Sequence, residues 1–276
     1  MTGTGQDVEL HTRFEDGTSL PFLVWRFLRP MRVVSSAPVG GGLGVRSWII
    51  NAQVAGHYGR TDLEAHICEL ALVAGLDPQP DHVGLLTAAD VSAGFEGFDR
   101  GVHVRASVGV REPVWAAAPA ADPGEPAGRG DGIEVLADHG DDGDAGGHRG
   151  DRANLGRSDP RDARDPREPI GTINIVAFVP VPMTESALVN LITTATEAKT
   201  QALFDAGIDG TGTVTDAVVV VSPRLSAAPT NSLERFGGSR STWGAPLARA
   251  VHSAVFAGAQ HSQKVVAAER STSDRR

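Results

Sequence analysis

The clearest hydrophobic pattern lies in residues 171–222, where two short apolar runs flank a long amphipathic segment. Residues 173–179 form a β-branched run followed by prolines, which is typical of a buried strand. Residues 184–205 place apolar side chains at helical spacing, with Thr184 as the predicted N-cap. Residues 217–221 form a second apolar run. The pattern therefore predicts a strand–helix–loop–strand unit.

The first half of the chain alternates between apolar and polar positions. Alternation over residues 6–34 predicts two or three strands, at 8–13, 22–27 and 31–34, and further strands are predicted at 46–54, 82–88 and 101–110. The second and third are predicted to be separate because Pro30 lies between them. A capping box that begins at Thr61 predicts a helix over residues 61–74. A last helix is predicted over residues 243–257, followed by a disordered polar tail over 259–276.

Residues 117–169 differ from the rest of the chain because they are dense in Gly, Pro, Asp and Arg and lack apolar periodicity. Such a segment cannot bury enough apolar surface to offset its ordering entropy, so we predict a disordered insertion. The segments on either side, 1–116 and 170–258, each have few helices to cover their strands. We therefore predict a single α+β domain in which both segments share one mixed β-sheet covered by helices.

The composition excludes several classes of function. The chain has 276 residues and a formal net charge of −9, so a nucleic-acid partner is not expected. The sequence has no apolar run of membrane-spanning length and no secretory leader pattern, so we expect a cytoplasmic protein without a membrane partner. Cys68 is the only cysteine and the nine histidines show no ligand spacing, so no metal site is predicted. Both a monomer and a homo-oligomer are compatible with the sequence.

One charged residue falls within the apolar stripe of the predicted 184–205 helix. Lys199 lies beside Ala195, whereas Glu197 lies on the opposite face. The chain contains only one other lysine, Lys264, and otherwise uses arginine for positive charge. A buried ammonium must be paired with an anion or lose its charge, and either outcome suits catalysis. The alternative is that the Lys199 stem covers apolar surface while its ammonium reaches water.

Two glycine-rich loops could bring backbone N–H groups close to a ligand. The first, SSAPVGGGLG at residues 35–44, lies between two predicted strands rather than before a helix, so a dinucleotide-binding fingerprint does not fit. The second, residues 210–213, lies just before Asp216 and the last predicted strand. Either loop could also be an ordinary turn, which is the commoner use of glycine.

Eight segments of the chain occur together in the order of one known family. They are SSAPVGGGL (35–43), NAQV (51–54), VGLLTAADV (83–91), PVWAA (113–117), GTINIV (171–176), ALVNLITTATEAKTQAL (187–203), TGTVTDAVVV (211–220) and RFGGSRSTWGAPLARAV (235–251). Together they resemble the adenosylcobinamide amidohydrolase family of corrinoid salvage. The sequence departs from the family pattern at Val214, where a glycine is expected, and at Gly40, where asparagine is frequent.

The resemblance implies hydrolysis of the amide that joins the aminopropanol arm to the corrin ring of adenosylcobinamide. The products would be adenosylcobyric acid and 1-amino-2-propanol. The partner would then be a small-molecule corrinoid, and the protein would need no cofactor of its own because the cobalt arrives within the substrate.

Such a reaction needs a nucleophile, and the sequence offers alternatives near one loop. Asp216 or Glu197 could activate water. Alternatively, a threonine could attack after losing its proton to Lys199. The candidate threonines are Thr211, Thr213 and Thr215.

The reaction also needs donors for the developing oxyanion and contacts to the rest of the substrate. The backbone N–H groups of residues 210–213, including Gly212, are candidate oxyanion donors together with Asn174. The predicted contacts to the corrin side-chain amides are Gly41, Gly42, Asn51 and Thr87.

Two other classes of function stay open from the sequence. A corrinoid-binding protein without hydrolytic activity would result if Val214 distorts the second glycine loop. A phosphate-binding transferase could use both glycine loops, although the chain lacks the Walker or Rossmann context of such sites.

Overall fold

The computed structural model describes residues 7–56, 58–78, 81–118, 171–225 and 233–273. The predicted insertion at 117–169 lies outside these residues, apart from Ala117 and Ala118. The elements in chain order are β1 (Val8–Glu15), β2 (Thr18–Ser35), β3 (Gly42–Gln53), α1 (Leu63–Val73), β4 (His82–Thr87), β5 (Phe95–Asp99), β6 (Val102–Gly109), β7 (Thr172–Phe178), α2 (Glu185–Asp205), β8 (Ala217–Ser222) and α3 (Gly244–Ser273).

The eight strands form one sheet with the order β4-β3-β2-β8-β7-β6-β5, and β1 pairs with β2 beside this path. The pairs β3–β4 and β7–β8 are parallel, and the other pairs are antiparallel. The antiparallel pairing of β2 with β8, with Ser35 opposite Val219, joins the two segments of the chain. The prediction of a single α+β domain with a mixed sheet is therefore confirmed.

The long strand β2 bends the sheet. Its pairing with β3 shifts register between Arg26 and Met31, and Pro30 lies within this irregularity. The prediction that Pro30 separates two strands is wrong, since a proline is tolerated where the ladder lacks a hydrogen bond to its nitrogen. The bend brings β4 close to β7, where Asn174 Nδ2 donates to Leu86 O at 3.1 Å.

Three apolar clusters stabilise this bent sheet and define its layers. On one outer face, α1 packs through Ile67 and Leu70 against β2 and β3. On the other outer face, α2 and α3 pack on β6, β7 and β8. Between the two halves of the sheet, a third cluster joins Leu23, Trp25, Ile49, Val83, Val176, Phe178 and Val219. The layers are therefore α1, the half of the sheet that contains β2 and β3, the half that contains β6, β7 and β8, and the helices α2 and α3.

The last helix is much longer than its hydrophobic pattern predicts. The prediction of a disordered tail from residue 259 is wrong for residues 259–273, because α3 continues to Ser273. Ala259 is fully buried, and the buried Ser262 Oγ accepts a hydrogen bond from the Val110 N–H at 2.8 Å. Small residues thus hold this half of α3 against the end of β6.

Two smaller predictions also need correction. The strand β5 (Phe95–Asp99) was not predicted, because it is short and only Gly97 within it is buried. The predicted capping box at Thr61 is wrong, since α1 has Asp62 at its N-cap without a side-chain capping hydrogen bond. Among the described residues, no helix is both long and apolar enough to cross a membrane.

Candidate active site

The helix α2 carries Lys199 into the protein interior. Thr184 Oγ1 accepts a hydrogen bond from the Ala187 N–H at 3.3 Å, as predicted for an N-cap. The apolar stripe of α2 packs onto the sheet, and Lys199 within that stripe is only 7% exposed. The alternative in which the ammonium reaches bulk water is therefore wrong.

The charge partner of Lys199 is Asp216, just before β8. The same carboxylate accepts hydrogen bonds from Thr213 Oγ1 at 2.5 Å, from the Thr213 N–H at 3.1 Å and from the Ile173 N–H at 3.0 Å. A carboxylate offers about four lone-pair positions, and these four donors use them. The geometry therefore favours a role for Asp216 in holding Lys199 and the loop over a role in activating water.

Gly212 allows the ion pair to lie directly against the backbone of the second glycine loop. A Cβ atom at this position would overlap both Asp216 Oδ2 and Lys199 Nζ. The loop is held in place by a β-bridge, in which the Val114 N–H donates to Gly212 O at 2.8 Å. Glycine is thus needed here because of the space that the two charged side chains occupy.

The three candidate threonines have different surroundings. Thr213 is buried and bonded to the carboxylate described above. Thr211 Oγ1 accepts a hydrogen bond from the Ala116 N–H at 2.9 Å and so joins two loops. Thr215 is the one of the three that lines a cavity, and its Oγ1 lies 2.7 Å from Thr172 Oγ1.

Most backbone donors of this loop are already used within the fold. The N–H groups of Gly210, Thr211 and Thr213 donate to Ile208 O, Val114 O and Asp216 Oδ2, respectively. These three predicted oxyanion donors are therefore satisfied by protein acceptors.

A cavity of about 480 Å³ lies beside the ion pair, at the open end of the bent sheet. Its lining is mainly apolar and comes from the ends of β2, β3 and β4 and the starts of β7 and β8. The lining residues are Ser36, Pro38, Val54, Ala55, Gly56, Tyr58, Arg60, Leu63, Leu86, Thr87, Ala88, Thr172, Asn174, Thr215, Asp216 and Ala217. Four predicted site residues, Thr87, Asn174, Thr215 and Asp216, thus share one cavity.

A chain of buried amides fixes the orientation of Asn174. Its Nδ2 donates to Asn51 Oδ1 at 2.9 Å and to Leu86 O at 3.1 Å, and Asn51 Nδ2 donates to Ser107 Oγ at 3.0 Å. Asn174 Oδ1 is buried without a hydrogen-bond partner among the described residues. Because both amide hydrogens are used, the prediction of Asn174 as an oxyanion donor does not fit. The side chain instead offers an acceptor, and Asn51 lies behind it.

Two hydroxyl groups on the cavity wall can act as hydrogen-bond donors to a ligand. Ser36 Oγ accepts a hydrogen bond from the Val218 N–H at 2.9 Å, and Thr87 Oγ1 accepts one from the Ala89 N–H at 3.0 Å. Since each oxygen is already an acceptor, each hydroxyl proton is available to a ligand. The cavity wall therefore offers two hydroxyl donors, and the unpaired acceptor Asn174 Oδ1 is buried within that wall.

Tyr58 also lines the cavity, and its hydroxyl lies 2.7 Å from His66 Nδ1. Burial raises the pKa of Tyr58 and lowers the pKa of His66, so the phenol stays protonated and the imidazole neutral at neutral pH. His66 Nε2 faces Glu15 Oε2 at 3.6 Å. We therefore assign the His66 proton to Nε2, which leaves Nδ1 to accept from Tyr58. The signal that could have found Tyr58 is that it is the only tyrosine in the chain.

Three predicted site residues lie away from this cavity. Glu197 is exposed on the face of α2 opposite Lys199, so its predicted role in activating water is not supported by its position. Gly41 and Gly42 are exposed, and neither lines the cavity. The loop that contains them precedes β3 rather than a helix, so it lacks the helix N-terminus that a phosphate site would use.

Both departures from the family pattern are accommodated by the fold. Val214 is 64% exposed in a turn, and its φ angle is not positive, so the position does not require glycine. Gly40 has φ of +65°, and a Cβ atom there would overlap His82 O. Neither residue distorts the surroundings of the Lys199–Asp216 pair.

The comparison with known families identifies the chain. Residues 6–267 match the family model described as adenosylcobinamide amidohydrolase. The chain belongs to this family. The match covers nearly the whole chain and confirms the resemblance inferred from the sequence.

A curated relative carries the name of the same family. It is the adenosylcobinamide amidohydrolase of Methanosarcina mazei, which is 38% identical to this chain over 92 residues. The matched region covers 32% of this chain and 46% of the relative. Because less than half of the relative is matched, its name alone does not assign an activity to this member of the adenosylcobinamide amidohydrolase family.

Proposed function

We propose that this protein is an amidohydrolase that cleaves the aminopropanol amide of adenosylcobinamide during corrinoid salvage in the cytoplasm. The products are adenosylcobyric acid and 1-amino-2-propanol. Water supplies the hydroxyl group to the carbonyl carbon and a proton to the nitrogen as the C–N bond breaks. The observation that carries this proposal is the buried Lys199–Asp216 pair, packed against Gly212 beside a cavity in a member of this family.

The shape and polarity of the cavity support this substrate. A volume of about 480 Å³ suits one arm and one edge of a corrin ring, while the rest of the macrocycle stays outside. The rim of a corrin carries carboxamides, which are both donors and acceptors. Asn174 Oδ1 can accept from such an amide, whereas Ser36 and Thr87 can donate to one. Asn51 acts indirectly because it holds the amide of Asn174.

Within this cavity we assign the contact with the scissile amide to Thr215. Thr215 lines the cavity beside Asp216, whereas neither Thr211 nor Thr213 is among the residues that line it. Lys199 neutralises Asp216 and holds the loop that presents Thr215. Tyr58, oriented by His66, contacts the substrate from the opposite wall.

The first experiment measures hydrolysis directly. The purified protein is incubated with adenosylcobinamide in H₂¹⁸O, and both products are quantified by mass spectrometry. We expect free aminopropanol and one ¹⁸O atom in the carboxylate of adenosylcobyric acid. Recovery of intact adenosylcobinamide together with tight binding would instead assign the protein to the corrinoid-binding class without catalysis.

A pair of lysine variants tests the site. Lys199→Met keeps the apolar stem but leaves Asp216 without its cation, and we expect turnover to fall by about a hundredfold or more. Lys264→Met replaces the other lysine of the chain, which is exposed on α3, and should leave turnover unchanged. Wild-type turnover by a folded Lys199→Met variant would exclude the ion pair from the mechanism.

A pair of threonine variants tests the assignment of Thr215. Thr215→Val removes a hydroxyl from the cavity at nearly constant volume, together with its hydrogen bonds to Thr172 Oγ1 and Gly171 O. We expect a loss of stability of about 1 kcal/mol and a fall in turnover per folded molecule. Thr211→Val removes the hydrogen bond to the Ala116 N–H and should act mainly on stability. Equal turnover by the wild type and Thr215→Val would exclude the Thr215 hydroxyl from the contact with the scissile amide.

The proposed partner is the corrinoid substrate. A homo-oligomer stays a prediction, and light scattering after size-exclusion chromatography would test it.

A further inference from the structure

Three potential metal ligands lie together between α1 and β4. Glu64 and Cys68 are four residues apart on α1, so their side chains leave the helix on the same face. His82 is the first residue of β4. A carboxylate oxygen, the thiol sulfur and an imidazole nitrogen from these residues all lie within 4.8 Å of one another.

The surroundings of His82 orient its ring toward the other two ligands. The ring is buried and stacks on Trp48, with 4.3 Å between ring centroids and an interplanar angle of 2°. Its Nε2 lies 3.1 Å from Glu64 Oε1. The rigid part of the cluster is therefore the imidazole, while the exposed Glu64 and the half-buried Cys68 can adjust around it.

The spacing is compatible with coordination after small side-chain movements. Bonds of about 2.0–2.3 Å in a tetrahedral site place ligand atoms about 3.3–3.8 Å apart. The three ligand atoms here are at most 4.8 Å apart. Glu64 and Cys68 would each need to move inward by about 1 Å, which is within the reach of a rotation about side-chain bonds.

We propose that Glu64, Cys68 and His82 form a zinc site with one carboxylate, one thiolate and one imidazole ligand, completed by water. The thiolate and the imidazole favour Zn²⁺, whereas Mg²⁺ and Ca²⁺ prefer oxygen ligands. The sequence alone predicted no metal site, because the three ligands come from a helix and a strand that only the fold brings together.

The position of the cluster indicates a stabilising role rather than one in hydrolysis. His82 begins β4, whereas Leu86 and Thr87 at the end of the same strand line the cavity. At a rise of about 3.3 Å per residue, His82 and Leu86 are roughly 13 Å apart. A bound ion would join α1 to β4 and so stiffen the part of the fold that supports one wall of the cavity.

The experiment uses the full-length protein after removal of metal with a chelator. Zn²⁺ is titrated in competition with a chromophoric chelator, and Co²⁺ is added separately as a spectroscopic probe. We expect one ion per chain, a higher melting temperature with Zn²⁺, and a sulfur-to-cobalt charge-transfer band in the near ultraviolet. Mg²⁺ at the same concentration should have none of these effects.

Variants on α1 separate this site from adventitious binding. Cys68→Ser should abolish the charge-transfer band and weaken Zn²⁺ binding by more than the roughly 10–100-fold that loss of a supporting residue typically costs. Glu64→Gln should weaken Zn²⁺ binding while keeping the band. Glu69→Gln, which changes a neighbouring carboxylate on the same helix, should bind Zn²⁺ as the wild type does.

Two results would overturn the proposal. One is the absence of stoichiometric Zn²⁺ binding by the folded wild-type protein. The other is equal Zn²⁺ affinity in the wild type and Cys68→Ser, which would place the ion elsewhere. The test relies on Cys68 and Glu64, because replacement of the buried His82 could prevent folding. All readouts are independent of adenosylcobinamide hydrolysis.

Discussion

The two loops of this chain that are rich in glycine have different surroundings. In the second loop, Gly212 lies against the side chains of Lys199 and Asp216 beside the cavity. In the first loop, Gly40 lies against the backbone of His82, away from the cavity lining. The role of a glycine therefore follows from what its missing side chain leaves room for. In the second loop, charged side chains occupy that space. In the first loop, the backbone of β4 occupies it.

Substitution of Gly212 is expected to have the largest effect of the changes in the two loops. In Gly212→Ala, the added Cβ atom would overlap Lys199 Nζ and Asp216 Oδ2, so the ion pair has to separate or shift. We expect turnover of adenosylcobinamide to fall by about a hundredfold or more, as for loss of other preorganised electrostatic groups. Product formation measured by mass spectrometry checks this, with circular dichroism as the control for folding. Near-normal turnover would show that the closeness of the pair to the loop is not needed.

The equivalent change in the first loop should act on stability instead. In Gly40→Ala, the backbone has φ of +65° and the Cβ atom would overlap His82 O. We expect the free energy of unfolding to fall by about 2–4 kcal/mol, from left-handed strain together with the steric clash. Urea unfolding measures this change. Turnover per folded molecule should stay within about twofold of the wild type, and a large loss would mean that Gly40 is needed to hold Ser36 of the same loop in place at the cavity.

The variant Gly42→Ala distinguishes the cost of a left-handed backbone from the cost of steric overlap. Gly42 has φ of +83°, but a Cβ atom there would meet nothing within 4 Å. We expect Gly42→Ala to lower the free energy of unfolding by about 1–2 kcal/mol, which is the cost of a left-handed residue alone. Urea unfolding of Gly40→Ala and Gly42→Ala under the same conditions gives the difference. Equal losses would indicate that the loop moves away from His82.

The smallest effect is expected at Val214, where this chain departs from the family pattern. The Val214 side chain is exposed and its φ angle is not positive, so Val214→Gly removes no buried contact. We expect a loss of less than about 1 kcal/mol from the added flexibility of the unfolded chain. Turnover should change by less than about twofold. A marked gain in turnover would show instead that the valine restrains a loop that needs to move.

The elements with a strong local pattern could be predicted from the sequence. The β7–α2–β8 unit is confirmed, because its apolar periodicity and the Thr184 cap are local features. The strand β5 could not be predicted because its one buried residue is a glycine. The end of α3 could not be predicted because small residues such as Ala259 and Ser262 make its contacts.

In the candidate site, too, local features could be predicted from the sequence, whereas contacts between distant segments could not. The burial of Lys199 follows from its place in the α2 stripe, and its pairing with Asp216 follows from their closeness in sequence. The orientation of Asn174 depends on acceptors from β3 and β4, which are more than 80 residues away in sequence. The sequence could therefore not predict that both amide hydrogens of Asn174 have acceptors within the protein.

The described chain is interrupted after Ala118 and resumes at Gly171, and both margins of this gap contact the same loop. Thr211 Oγ1 accepts from the Ala116 N–H, and Thr215 Oγ1 donates to Gly171 O at 3.5 Å. These two threonines clamp the entry and exit points independently of what lies between them. Both margins of the gap are therefore fixed to the loop that precedes β8, so a deletion within residues 119–170 should leave the Lys199–Asp216 pair in place.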